Sequence, residues 1–143
     1  YIVRHHTQFI EELIKQGKLS MNGTGEALTY HDPCYLGRHN GVFDEPRKVI
    51  EATGAKLTEP ERNRSNSFCC GAGGGQFWKE EEKGKERVST NRFRQLVETG
   101  AKTVATGCPF CLKMFSDEAA KEDTAPEVLD IAEIVARNLK KSA

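Results

Sequence analysis

The sequence predicts an α/β domain, with four short strands in a mostly parallel sheet and helices on both faces, making three layers. Two patterns predict it. Short runs rich in β-branched residues alternate with longer runs whose apolar residues recur at helical spacing, the mark of βαβ units. In addition, 143 residues with 37% hydrophobic and 29% charged positions suffice for one core and are too few for two comfortable domains.

Each element has a local reason. Residues 5–16 (HHTQFIEELIKQ) place Phe9, Ile10, Leu13 and Ile14 on one helical face and stop at Gly17. Residues 17–25 are polar and glycine-rich, a loop. Residues 1–24 thus read as a helix and linker ahead of a core spanning 25–141. Ala27 to His31 (ALTYH) reads as a strand, and Pro33 suits the first turn of a helix beginning near Cys34. Asp44 is placed to N-cap a helix over 45–53, with Pro46 tolerated in its first turn and Gly54 beyond its end. Lys56 to Thr58 is a weak strand. Residues 59–76 (EPERNRSNSFCCGAGGGQ) form a long loop, and long loops in compact domains are usually functional. Lys79 to Thr99 reads as helix, with Val88, Phe93, Leu96 and Val97 as its apolar stripe and Gly100 as its stop. Thr103 to Thr106 is a strand, and Cys108 opens a helix to about Lys121. Glu127 to Asp130 is the last strand. Ile131 to Lys140 closes the chain as a helix with Ile131, Ile134, Val135 and Leu139 on one face. The alternation describes a Rossmann-like open sheet.

Lysine plus arginine equals aspartate plus glutamate at 21 each, so the chain carries no electrostatic footprint for nucleic acid. No apolar run approaches the length of a membrane-spanning helix, and no segment of these residues reads as a signal peptide. A reducing, cytoplasmic setting is expected for the thiols. The chain starts at Tyr1 close to the first predicted helix, and is expected to be the C-terminal part of a longer polypeptide.

The five cysteines carry the chemistry. Cys34 is followed after 34 residues by Cys69-Cys70, and after 37 more by Cys108-Pro-Phe-Cys111. Five soft ligands in three groups read as a metal or iron–sulfur site, and an odd count argues against a plain disulfide framework. Sites in open α/β sheets form beyond the carboxyl ends of the strands. Each cysteine group follows a predicted strand, so all three are expected on one sheet edge. Cys108 and Cys111 lie one turn apart at a helix start, where the dipole and free N–H groups favour thiolate, and Cys34 is expected in the same setting. Gly71 frees the turn that Cys69-Cys70 needs. Gly73, Gly74 and Gly75 would let backbone approach a bulky inorganic core.

Other readings stay open on these residues. Cys108 and Cys111 could form a thioredoxin-like redox pair, although that leaves three cysteines unused. Four thiolates, or a mix with histidine, could hold structural zinc. Buried inert cysteines are the bland reading. Gly71-Ala-Gly-Gly-Gly75 is not a dinucleotide fingerprint, because Gln76 stands at its last position and cysteines precede it in place of a strand. His31 and His39 flank Cys34 and could bond to sulfur, replace a ligand, or only hydrogen-bond backbone. His5 and His6 read as solvated. Phe77 and Trp78 read as a cap on the core, a shield for the site, or a partner contact. Glu80-Glu81-Glu82 reads as a solvated helix start. Arg38, Arg62 and Arg64 read as solvated, with contact to an anionic substrate or partner as the functional alternative.

The pattern C-x34-C-C-G-x36-C-x2-C resembles the cysteine-rich "CCG" domain. That domain occurs in the cysteine-rich subunit of heterodisulfide reductase and in iron–sulfur subunits of glycolate, lactate and glycerol-3-phosphate dehydrogenases. The runs HDPCYLGRHNGVFDEPRKVI, RNRSNSFCCGAGGGQFW and TVATGCPFCLKMF resemble most the iron–sulfur oxidoreductases associated with electron-transfer flavoproteins. The likeness covers roughly residues 25–140. It implies an electron-transfer domain of an oxidoreductase, with Cys34, Cys69, Cys70, Cys108 and Cys111 as ligands of a [4Fe–4S] cluster, cubane or non-cubane, or alternatively of zinc. It implies a preceding ferredoxin-like segment and a first CCG domain as partners in the same chain, a flavoprotein or other redox subunit as a further partner, and contact with the inner face of the membrane through those partners. The isolated domain is expected to be inactive as an enzyme, and the loop of residues 62–76 to be its least ordered part when no cluster is bound.

Overall fold

The computed structural model describes residues 1–23, 25–80 and 84–140. Helix α1 (His6–Lys15) begins at His5, whose ring accepts from the Thr7 N–H while the Gln8 side chain accepts from the His5 N–H. These reciprocal bonds satisfy N–H groups that a helix start leaves orphaned. Strand β1 (Ala27–Tyr30) follows, then α2 (Asp44–Ala52) and the short β2 (Lys56–Leu57). Pro46 sits in the first turn of α2, where its missing N–H costs nothing. Helix α3 (Val88–Val97), strand β3 (Thr103–Thr106), helix α4 (Pro109–Ala119), strand β4 (Glu127–Asp130) and helix α5 (Ile131–Asn138) complete the order. Helix α5 starts with a second capping box: Asp130 accepts from the Ala132 N–H, and Glu133 accepts from the Asp130 N–H.

The four strands run parallel in the order β2-β1-β3-β4. Strand side chains alternate between two apolar clusters, one on each face. Leu28, Tyr30, Ala105 and Leu129 meet α2 and α5 through Val49, Ile50, Ile134 and Val135, and α1 adds Ile10 and Ile14. Val104 and Val128 point the other way, to Phe93 and Leu96 of α3 and Phe115 of α4. The expected three layers are therefore α1/α2/α5, sheet, α3/α4. The N-terminal segment is tied to the core at both ends of its loop, since Met21 forms an isolated antiparallel bridge with Leu139. Among the described residues, no helix is long and apolar enough to cross a membrane.

Four local expectations need correction. Residues 34–40 form a run of turns instead of a helix. The His39 N–H reaches the Cys34 carbonyl, five residues back, and Gly41 takes φ +68°. Two glycines in this stretch, Gly37 and Gly41, weaken helix formation. Cys34 therefore lacks the helix dipole expected for it. Helix α3 begins at Val88, not Lys79: Lys79 and Glu80 are not helical, and residues 81–83 lie outside the described residues. Val88 and Val97 of the expected stripe are exposed, and the buried face of α3 is Ser89, Arg92, Phe93 and Leu96, so tertiary packing holds the helix only from there on. Asp44 is the first residue of α2 and not its cap; its carboxylate accepts from Arg64 Nη1 at 2.7 Å. Helix α4 ends at Ala119 and α5 at Asn138, each about two residues early.

Candidate metal centre

Strand order decides where the site lies. From β1 the chain crosses to β2 on one side, and β3 leads to β4 on the other, so the ends of β1 and β3 flank a switch point. Crevices at such points receive ligands. The His31 N–H donates to the Ala105 carbonyl at 2.9 Å and keeps the two strand ends together. His31, Asp32 and Cys34 leave β1 there, and Cys108 leaves β3.

Cys108 stands at the N-cap of α4 with extended backbone, and Pro109 occupies the first helical position, where its fixed φ is already suited. This turns Cys111, one turn on, into the core: it is 2% exposed, and its sulfur lies 3.2 Å from that of Cys70. Cys70 is 4% exposed; Cys34, Cys69 and Cys108 are partly exposed, and all five are free thiols. The Gly71 N–H donates to the Cys69 sulfur at 3.3 Å. Cys34 shares with Cys69, Cys70 and His31 a small cavity of about 10 Å³, room for roughly one water. A ring nitrogen of His31 and the sulfurs of Cys70 and Cys111 lie within 4.8 Å of one another. The three cysteine groups thus meet at one edge of the sheet, Cys34 at the outer side and Cys70 and Cys111 at the inner.

The sulfurs share protons in sequence. The single Cys111 proton is shared with the sulfurs of Cys108 and Cys70, which raises its pKa far above that of an ordinary thiol. Cys108 falls to about 6, first because Cys111 donates to it, then because of the backbone N–H groups of Cys111 and Phe110 at the helix start. Cys70 is held far below the usual thiol range by Cys111 and Cys69, with His31 and the Ala72 N–H adding to the effect. Cys69 is pushed up because it donates to Cys70 and is partly buried. Negative charge therefore gathers first on Cys70 and Cys108, the state that binds a soft metal.

Two buried arginines surround this set, and neither was legible as such in the sequence. Arg92 on α3 is 0% exposed. Its Nε–H donates to His31 Nδ1 at 3.1 Å, and its Nη1 donates to the Arg62 carbonyl at 2.9 Å. Burial brings its pKa down to about 10. His31 itself is fully buried, edge-on to Phe115 at 4.8 Å, and burial lowers its pKa. Arg47 on α2 grips Asp32 with two parallel bonds of 2.7 and 2.9 Å and also pairs with Glu59. Asp32 Oδ2, which already accepts from Arg47 Nη2, also accepts from the Arg64 N–H at 2.7 Å, and Arg64 has φ +51°. Asp32 so links the Cys34 turn to the loop carrying Cys69 and Cys70. Arg38 donates to the Ser67 carbonyl at 2.7 Å and pins the same loop. Arg38 and Arg64 are exposed, as expected, and also bond to groups near the site, while the half-buried Arg62 guanidinium lies over the Phe68 ring at 4.6 Å.

The glycines act differently from one another. Gly71 has φ +89°, and a Cβ there would meet the Ser89 N at 3.2 Å, so its close approach is to the start of α3. Gly74 and Gly75 need their left-handed backbone, while the space before Gly73, Gly74 and Gly75 is open. Phe77 packs on the α3/α4 core, and with the exposed Trp78 and Phe110 it forms a mutual edge-to-face trio beside Cys111, ring centroids 5.2 to 5.7 Å apart. His5, read as solvated, instead reaches the Gly107 carbonyl at 2.8 Å. His39 is exposed and stacks obliquely on Tyr35, ring centroids 4.9 Å apart.

Five thiols form a soft donor set beside a buried imidazole. It suits thiophilic metal or an iron–sulfur cluster and is unsuited to calcium or magnesium, which take oxygen ligands. The chain is 41% identical over 144 residues to an EtfAB:quinone oxidoreductase of Syntrophomonas wolfei, covering 94% of this chain and 20% of that protein. It is 40% identical over 141 residues to the probable iron-sulfur-binding oxidoreductase FadF of Bacillus subtilis, covering 96% and 20%. It is 39% identical over 145 residues to one subunit of the dihydromethanophenazine:CoB–CoM heterodisulfide reductase of Methanosarcina barkeri, covering 96% and 34%. The chain spans about a fifth to a third of the length of these curated relatives. The family model of the CCG cysteine-rich domain matches residues 28–116, from β1 into α4, and the chain belongs to that family.

Proposed function

We propose that this chain is the iron–sulfur-binding, electron-transfer domain of a larger oxidoreductase, and that Cys34, Cys69, Cys70, Cys108 and Cys111 hold its cluster. The observation that carries the reading is the convergence of five free thiols, two of them buried and two poised as thiolates, at the switch point of the sheet. Three relatives named as oxidoreductases or a reductase support it. The cluster is of the [4Fe–4S] type. A plain cubane needs four thiolates, so a fifth favours a non-cubane form or leaves one cysteine spare. When bound, such a group supplies one-electron transfer; the chain supplies the rest. Cys70 and Cys108 present thiolate, and Cys69 and Cys111 lose their shared protons as metal binds. Gly71 offers an N–H to sulfur, and Phe115, Phe93 and Leu96 keep water from the inner side.

The domain would be the C-terminal cysteine-rich copy, residues 1–143, of a cytoplasmic protein. A ferredoxin-like segment and a first such domain would precede it, and a flavoprotein or other redox subunit would pass it electrons, at the inner face of the membrane through those partners. Anaerobic reconstitution with ferrous iron and sulfide tests the core of this reading. Uptake of about four irons and four sulfides, with matching absorption and EPR spectra, is the expected result. A chain that stays folded by circular dichroism and binds no iron refutes it. Zinc near one equivalent and no iron, in protein purified without oxygen, would favour a structural zinc or docking module instead.

A thiol–disulfide oxidoreductase is the second reading, favoured by one observation: the low pKa of the partly exposed Cys108 beside Cys111. It requires disulfide-reductase activity that survives Cys34→Ser and Cys69→Ser and vanishes in Cys108→Ser. Loss in all three variants would rule it out.

A further inference from the structure

We infer that Arg92 makes His31 an N–H donor to the cysteine centre and disqualifies it as one of the ligands, so that Arg92 is a positioning residue for the redox group. The inference rests on the reading of the site as an iron–sulfur centre for its redox part, and on geometry alone for its tautomer part.

By distance, His31, Cys70 and Cys111 look like three ligands of one ion, all within 4.8 Å. The hydrogen bond behind the imidazole argues otherwise. A guanidinium has five N–H donors and no acceptor. Arg92 Nε lies 3.1 Å from His31 Nδ1, so Nδ1 must present its lone pair. A neutral imidazole carries one proton, which then sits on Nε2, leaving no lone pair there for a metal. Metal-bound histidines do the reverse: the nitrogen behind the metal donates to a carboxylate, carbonyl or water. Here that nitrogen faces a donor. The N–H at Nε2 is instead available to the neighbouring sulfur of Cys70.

Arg92 also places charge. Its hydrogen-bond partners are all neutral: His31 Nδ1, the Arg62 carbonyl, Gln95 Oε1 at 3.0 Å and Ser67 Oγ at 3.4 Å. Arg47, also buried, is gripped by two carboxylates. Among the described residues Arg92 makes no ion pair. A buried cation without a paired anion is costly. The negative charges that offset it are the buried Asp32 carboxylate, already bonded to Arg47, and the cysteine centre one imidazole away. Reduction adds negative charge to that centre, and Arg92 favours the reduced form through its own charge and through the N–H it turns on Cys70.

Two measurements test this. The first is ¹⁵N NMR of the metal-free chain labelled in histidine. His31 is expected as the neutral Nε2–H tautomer; the Nδ1–H tautomer or a doubly protonated ring overturns the inference whatever the cofactor. The second is a redox titration of the anaerobically reconstituted chain against Arg92→Met and Arg92→Lys. Arg92→Met is expected to lower the reduced-to-oxidised ratio at fixed potential at least tenfold, a fall of about 59 mV for a one-electron couple. Arg92→Lys keeps the charge and is expected to fall less. An unchanged potential in an Arg92→Met chain of wild-type iron content and circular dichroism overturns the positioning role. If the variants do not fold, the NMR result alone decides between donor and ligand. If the wild-type chain binds no cluster, the proposed function fails, and the tautomer result still stands or falls by itself.

Discussion

Replacing Asp32 with asparagine removes the buried charge that joins two of the three cysteine segments. The Asp32 side chain is 2% exposed and that of Arg47 5%. The carboxylate accepts two bonds from Arg47 and one from the Arg64 N–H, at 2.7 to 2.9 Å. Asparagine keeps one acceptor oxygen, loses the charge, and turns an NH₂ donor toward a guanidinium that can only donate. Removing one partner of a buried pair costs about 3–5 kcal/mol. Arg47 would retain Glu59, whose side chain is 32% exposed, so the expected loss lies near the lower end, about 3 kcal/mol. For a chain of this size that corresponds to a melting temperature lower by roughly 10 °C. Guanidinium denaturation of the metal-free chain measures it, as a lower midpoint at unchanged slope. Hydrogen exchange should speed up at residues 64–70, because the Arg64 N–H loses its anchor. The double variant Asp32→Asn/Arg47→Met should be more stable than Asp32→Asn alone, since an apolar replacement no longer strands a buried cation. The reasoning is refuted if Asp32→Asn unfolds within about 0.5 kcal/mol of the wild type, the range of an ordinary surface change. It is equally refuted if the double variant loses the sum of both single effects.

Phe115→Ala should cost about 3–5 kcal/mol by denaturant midpoint, because the ring is 0% exposed and fills the space between His31 and Phe93. Gly71→Ala should destabilise more than Gly75→Ala in the same assay. Both strain a left-handed backbone by about 1–3 kcal/mol, and only at Gly71 does the new Cβ also press on backbone, 3.2 Å from the Ser89 N. His5 links acid to stability: burial lowers its pKa first, then His6, while Gly107 and Asp130 pull it up. The folded state therefore favours the neutral ring that accepts from the Thr7 N–H, and the unfolded state takes the proton more readily below pH 6.5. The contribution is present above that pH and lost as the pH falls through the lowered folded value. The stability difference between wild type and His5→Asn, followed by thermal melts from pH 8 to pH 5, should accordingly narrow toward acid; a constant difference would contradict it.

Much of this architecture is written in short-range patterns. Apolar spacing, together with caps, prolines, glycines and β-branched runs, placed the five α-helices and four strands of the described residues, because an element needs a buried face with a period and a residue to start or stop it. The parallel α/β reading then followed from alternation, and with it the meeting of Cys34, Cys69-Cys70 and Cys108-Cys111 on one edge, since parallel strands end on the same side. The misjudged elements were those whose local signal is weak or indirect. Pro33 predicts a helix that Gly37 and Gly41 do not sustain, and the polar run ahead of α3 carries no apolar stripe of its own. Long-range partners were not legible. Arg92 reads in sequence as one more charged residue on a helix. It becomes a fully buried donor to His31, 61 residues away, only because the fold brings α3 to the residue that follows β1. Asp32 reads as a loop residue and becomes the clamp between two cysteine segments only when α2 delivers Arg47. The amino-acid sequence by itself determined the donor set and the edge on which it gathers. The tertiary structure alone decided which sulfurs touch, which hold the charge, and which way the histidine turns, because those depend on distances between residues that no local pattern relates.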